Sequence, residues 1–125
     1  MCATVSNTSG GDSVIEPMYQ VNIEEKLLQL GERLETEVQF YSDLTVERAE
    51  AESEYKRQYH RVIVRMSDGT VAQKESMAHL KAANAYHAWK LSEAQEKATQ
   101  QKLIAIRTQI ESIRTISANV RASGG

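Results

Sequence analysis

Lys56, Arg57, His60, Arg61, Arg65, Lys74 and Lys81 form the one group of side chains in this 125-residue sequence whose types and spacing suit a chemical partner. From Tyr55 to Lys90 there are seven Lys and Arg but only two acids, Asp68 and Glu75, a local net charge of +5. On a helix, Arg57, Arg61 and Arg65 stand four apart and share one stripe. Tyr55 and Tyr59 fall on the other side, because a two-residue step turns the helix by about 200°. Arginine grips phosphate oxygens bidentately, so an outward Arg stripe beside Lys56 and His60 suits a phosphate backbone. The ordinary reading of such a run is a solvated helix face. Two features favour contact with nucleic acid over it: few acids interleave here, and the preceding arm is strongly acidic.

Other chemistries find less support. Tyr41, Tyr55, Tyr59, Tyr86 and Trp89 could stack on bases, but at helical spacing they are expected in the core, with their polar ends reaching solvent. Glu75 and His79 are one turn apart, yet no second Glu-x-x-His element completes a di-metal bundle site, so no metal is expected. Cys2 is the only cysteine, which excludes an intramolecular disulfide and fits a reducing compartment. No phosphate-loop, dinucleotide, nucleophile-elbow or zinc-protease motif occurs. A thin helical protein offers no deep pocket to dry a reaction. The expectation is therefore a protein without catalytic residues or cofactor.

The elements that must position the basic group follow from composition and periodicity. Hydrophobic residues are 41% and aromatics 6%, with one Pro and six Gly, four of them near the ends. Such a chain favours long helices over a thick core. Residues 1–21 read as a flexible tail, ending where Asn22 and Glu25 match a capping box; a helix could also start earlier, with Pro17 in its first turn. From Ile23 to Met66 apolar side chains recur at steps of three and four, including Leu27, Leu30, Leu34, Val38, Tyr41, Leu44, Tyr55, Tyr59 and Val62. This predicts a helix over 22–66. Ser67-Asp68-Gly69 marks a turn over 67–70, and Thr70 with Gln73 forms a second capping box. A second helix is expected over 71–121. It is Ala-rich first, then aliphatic at Leu103, Ile106, Ile110, Ile113, Ile116 and Val120. Residues 122–125 complete the chain as a short tail. His60 to Val71 also fits a strand entering an Asp-Gly turn.

Two long helices joined by a tight turn are expected to lie antiparallel, giving an all-α, coiled-coil-like two-helix hairpin. Residues 22–54 hold three cations against ten acids, and residues 91–125 five cations against three. An antiparallel arrangement sets these opposite charges side by side. One hairpin leaves a flank of each helix uncovered, so a homo-oligomer is expected, built on the Leu103–Val120 seam. Val64, on the arginine side, adds an apolar group near the turn. No uninterrupted apolar run exceeds four residues, Val62-Ile63-Val64 and Leu103-Ile104-Ala105-Ile106 included, so no membrane span is expected, and no secretory signal is seen. The expected location is the cytoplasm, the host's if the protein is phage-encoded.

The layout from Leu34 to Arg121 resembles small phage helical accessory proteins, and more narrowly recombination mediators of the UvsY type. The resembling parts are the Lys/Arg-rich segment (Lys56, Arg57, Arg61, Arg65), the turn Ser67-Asp68-Gly69, the opening Lys74-Glu75-Ser76-Met77 and the seam from Ile106 to Arg121. The resemblance implies a non-enzymatic oligomer that binds single-stranded DNA through the residues before the turn. It also implies that such a protein helps a recombinase replace single-strand-binding protein, with the C-terminal helix driving assembly. The rival reading is a structural or adaptor coiled coil with no nucleic-acid role, such as a virion, chaperone-like or host-protein-binding component.

Overall fold

The computed structural model describes residues 12–124, and they are all-α: α1 Asp12–Arg65, α2 Val71–Lys81 and α3 Ala83–Gly124. No strand occurs among the described residues. The strand alternative for 60–71 fails because Thr70-Val71 is too short to pair the backbone of Val62-Ile63-Val64. The helix satisfies those groups within one segment. No described helix is long and apolar enough to cross a membrane. The tail expectation for residues 1–11 lies outside the described residues.

Three boundaries differ from expectation. Helix α1 begins at Asp12, so Asn22 is an exposed mid-helix residue rather than a cap. Pro17, one residue into the second turn, removes a single backbone donor. A tertiary bond also outweighs the local signal: Gln20 Nε2 donates to Ser117 Oγ at 3.2 Å. At the other end of the chain α3 runs to Gly124, through residues 122–124 that were expected to be a tail. The return segment, expected as one helix, breaks at Ala82. Its backbone bonds persist, from Ala82 N to Ala78 O and from Tyr86 N to Ala82 O, both 2.9 Å. The break is therefore a local bend within a continuing ladder, and no Pro or Gly signals it.

The turn follows its sequence signals. Gly69 has φ 109°, a left-handed conformation that only glycine adopts without strain. Thr70 caps α2: Gln73 N donates to Thr70 Oγ1 at 3.1 Å, and Thr70 N donates to Gln73 Oε1 at 2.9 Å. Met66 N donates to both Val62 O and Ile63 O, which tightens the last turn of α1.

The described chain forms two compact units, residues 12–36 with 103–124, and residues 37–102. In the first, Ile23, Leu30, Leu103 and Ile106 are buried, and Ser117 accepts from Gln20. Ile116, expected on the apolar seam, is 41% exposed, because the covered positions step from Ile113 to Ser117 and then Val120. A cleft of about 210 Å³ opens between Asn22, Ile23 and Lys26 on α1 and Ile113 and Ile116 on α3.

In the second unit, the covered positions of α1 run Glu37, Tyr41, Leu44, Arg48, Ala51, Tyr55, Gln58 and Val62. Those of α2 and α3 run Ala78, Ala82, Ala85, Trp89, Ser92, Glu96 and Thr99. Both sets alternate steps of four and three. Val38, read as part of the apolar stripe, is 42% exposed; Glu37 takes its place. Polar groups thus occupy inward positions and pair there. Arg48 Nε donates to Glu96 Oε1 at 3.0 Å, and an Arg48 terminal nitrogen donates to Glu52 Oε1 at 3.0 Å. Lys56 Nζ reaches the other Glu52 oxygen at 2.8 Å, and Lys102 lies 3.7 Å from Glu37. The order of these partners reverses between α1 and α3, so the two helices run antiparallel within this unit.

The Arg48 hydrogen bond holds Glu96 below the ordinary 4.5, and the Lys56 hydrogen bond does the same for Glu52. A depressed carboxyl pKa stabilises the fold above 4.5, and that contribution is lost as pH falls through the folded value. Urea denaturation should therefore show stability declining below about pH 4.5. The decline should be shallower in Glu96→Gln, which has already lost the charge; an equal slope would dissociate this pair from acid sensitivity. Thr70→Ala should cost about 1 kcal/mol in the same assay, through loss of the cap.

Candidate nucleic-acid interface

The last three turns of α1 carry Lys56, Arg57, His60, Arg61 and Arg65, while α2 carries Lys74 and Lys81. An aromatic cluster in the same unit holds α1 against α2 and α3. Tyr55 is 8% exposed. Its ring centroid lies 5.2 Å from Tyr86, 5.5 Å from Trp89 in a stacked arrangement and 5.8 Å from Tyr59. Tyr59 in turn meets the His79 ring edge-on at 5.1 Å. Tyr55 Oη and His79 Nδ1 are 3.1 Å apart and share a hydrogen bond. Burial raises the Tyr55 hydroxyl above its ordinary range, followed by the neighbouring tyrosines, so it remains neutral at physiological pH. Tyr55 is core, which removes it from the set that could stack on bases. Tyr59 and Trp89 are half-buried, but Tyr86, expected in the core, is 41% exposed. Lys90 caps the cluster, its ammonium 4.4 Å from the Trp89 centroid. His79 enters the sequence reading only as a rejected metal ligand. Its role depends on Tyr55, 24 residues away, and no local pattern announces it.

Two of these seven side chains are held by acids. Lys56 is tied to Glu52 at 2.8 Å and Arg57 to Glu54. Both acids lie just before Tyr55, outside the stretch whose charge stood out, so a charge balance begun at Tyr55 overstates the free positive charge. Arg61, Arg65 and Lys81 form no ion pair among the described residues. These three converge with Val62, Met66 and Met77 on an open groove of about 260 Å³. The turn thus brings α1 and α2 cations together around an apolar floor. Lys74 is half-buried and does not line this groove. His60 is exposed, packs its ring edge against Tyr59, and does not line it either. Val64 is 82% exposed, on the outward side of α1 as its spacing required.

A groove with two guanidinium groups and an ammonium can hold anionic oxygens, with Met66 and Met77 giving an apolar surface beside them. No cluster of three or more His, Cys, Asp or Glu suited to a metal occurs among the described residues. Compared with known protein families, curated proteins and solved structures, the chain matches none of them.

Replacing Tyr55 with Phe keeps the ring cluster and removes the bond to His79. Chemical denaturation should register a loss of about 1 kcal/mol; no loss would show that the shared hydrogen bond contributes nothing net.

Proposed function

We propose that this chain is a non-enzymatic, phage-type accessory protein of recombination or replication. It is a helical hairpin that self-associates in a coiled-coil-like manner and binds single-stranded DNA at its basic end. There it assists a recombinase in displacing single-strand-binding protein. The observation that carries the reading is the convergence of Arg61, Arg65 and Lys81, without acid partners among the described residues, on one groove beside the turn. The resemblance to UvsY-type mediators supplies the recombination setting and the single-stranded ligand. Each chain offers a small patch, so affinity comes from several patches acting on one strand. Linked sites gain by effective concentration and need no new contacts.

The second reading, a structural or adaptor coiled coil, draws its support from exposed apolar side chains at Leu80 and Leu91. It predicts no affinity for nucleic acid at any salt concentration.

Fluorescence anisotropy with a labelled oligothymidine and its duplex counterpart separates the two. Binding should weaken linearly in log–log plots against salt, with a slope of about −2 for three single-strand phosphate contacts per chain. Arg61→Ala and Arg65→Ala should each weaken binding severalfold and reduce the slope, whereas Lys56→Ala and Arg57→Ala should change it less. Absence of binding at low salt would sink the reading. Equal affinity for duplex would sink its single-strand assignment.

A further inference from the structure

Helices α2 and α3 carry a second seam, which starts at Met77 on the edge of the α1–α2 groove and then runs along the side facing away from α1. Met77, Leu80, Asn84, His87, Leu91 and Ala94 recur at steps of three and four, the spacing of one continuous helix face. The covered positions Ala78, Ala82, Ala85 and Trp89 follow the same period on the opposite side. All six residues of the outer seam are exposed, Leu80 at 71% and Leu91 at 52%. The bend at Ala82 does not interrupt it, because the backbone ladder continues there. The seam runs over about 25 Å, carries Asn84 and His87 among its apolar residues, and is covered by nothing among the described residues, so it suits another helix.

Charge says which helix. The positions flanking the seam hold Lys81, Lys90 and Lys97; Lys90 is held by Glu93 at 3.3 Å, while Lys81 and Lys97 form no ion pair among the described residues. Two such seams packed on each other would set lysine against lysine, which disfavours a symmetric dimer. The complementary surface lies on the same unit. On α1, Phe40, Asp43, Glu47 and Glu50 also recur at steps of three and four, all exposed, with exposed Val46 beside them. None of these three acids pairs with a cation among the described residues. The lysine-flanked seam points away from α1, so it cannot meet the acidic stripe within one chain.

We propose that copies of this chain associate head to tail, the α2–α3 outer seam of one copy docking on the acidic α1 stripe of the next. This interface is heterologous, so it propagates until a ring closes or a filament forms. It rests on the self-association part of the proposed function and is independent of the DNA part. It also relocates the assembly contact. Leu103 and Ile106, expected to build the oligomer, are buried within the chain itself.

Light scattering coupled to size exclusion tests the interface on the full chain, with circular dichroism confirming helicity. Wild type at tens of micromolar should exceed the 14.0 kDa of one chain and shift toward it at high salt. Lys90→Glu with Lys97→Glu should yield monomer, as should Glu47→Lys with Glu50→Lys. An equimolar mixture of these two variants should reassemble, because each then carries the face the other needs. If the lysine pair variant loses helicity, Lys97→Glu alone replaces it, since Lys90 also covers Trp89. Monomeric wild type would overturn both this interface and the self-association reading. Assembly that survives both charge reversals but is lost in Ile113→Asp would overturn this interface alone. Variants that stay monomeric when mixed would overturn the pairing.

Discussion

The Arg48–Glu96 pair fixes where α1 meets α3 in residues 37–102. The facing surface of α2 and α3 there is smooth, with Ala78, Ala82, Ala85, Ser92 and Thr99 at covered positions. Small side chains permit close approach but discriminate poorly between registers. A slip of α3 by one repeat of seven would set Arg48 against Trp89 or Leu103 and strand Glu96 without its partner. Leaving a partly covered charge unpaired costs more than an exposed pair contributes, so the pair acts chiefly against wrong registers. Glu52 and Lys56 extend it along α1, and the Glu37–Lys102 contact repeats the device near the other end of the unit.

Register in turn decides what the turn presents. With Arg48 opposite Glu96, Tyr55 falls against Trp89 and Tyr86 and within reach of His79. The aromatic cluster supplies the bulk that the alanines lack. It holds α2 against the end of α1, and that placement sets Lys81 beside Arg61 and Arg65. The cluster therefore acts on the groove indirectly: its rings are spent on packing, and the cations around it are left for an anionic partner. Trp89 bears a cost, since its indole N–H is buried without a hydrogen-bond partner among the described residues.

Much of the fold is legible in the residues. The turn at Ser67-Asp68-Gly69, the Thr70–Gln73 capping box and the inward course of Leu30, Leu44, Tyr55 and Leu103 follow from spacing and local chemistry alone. The errors have physical causes. Asn22 and Glu25 satisfy a capping pattern, but the pattern fits a mid-helix stretch equally well, and the Gln20–Ser117 bond favours continuing the helix. Val38 is apolar and near the right phase, yet a strict alternation of four and three puts Glu37 inside. Apolar side chains mark a helix face only where the inward positions are themselves apolar. In this chain several inward positions are polar.

The sequence by itself determined the helices, because propensity, capping and the scarcity of Pro and Gly act over a few residues. It determined equally that positive charge collects beside the turn. Spacings of four and three already pair Lys56 and Arg57 with acids, and only the tertiary structure decided which of the other charges come together. Glu52 and Glu54 take Lys56 and Arg57 within α1, while the α1–α2 packing leaves Arg61, Arg65 and Lys81 together. Pairing across 48 residues, as between Arg48 and Glu96, has no local signature. It depends on which faces meet, and that is settled by the packing of the whole unit.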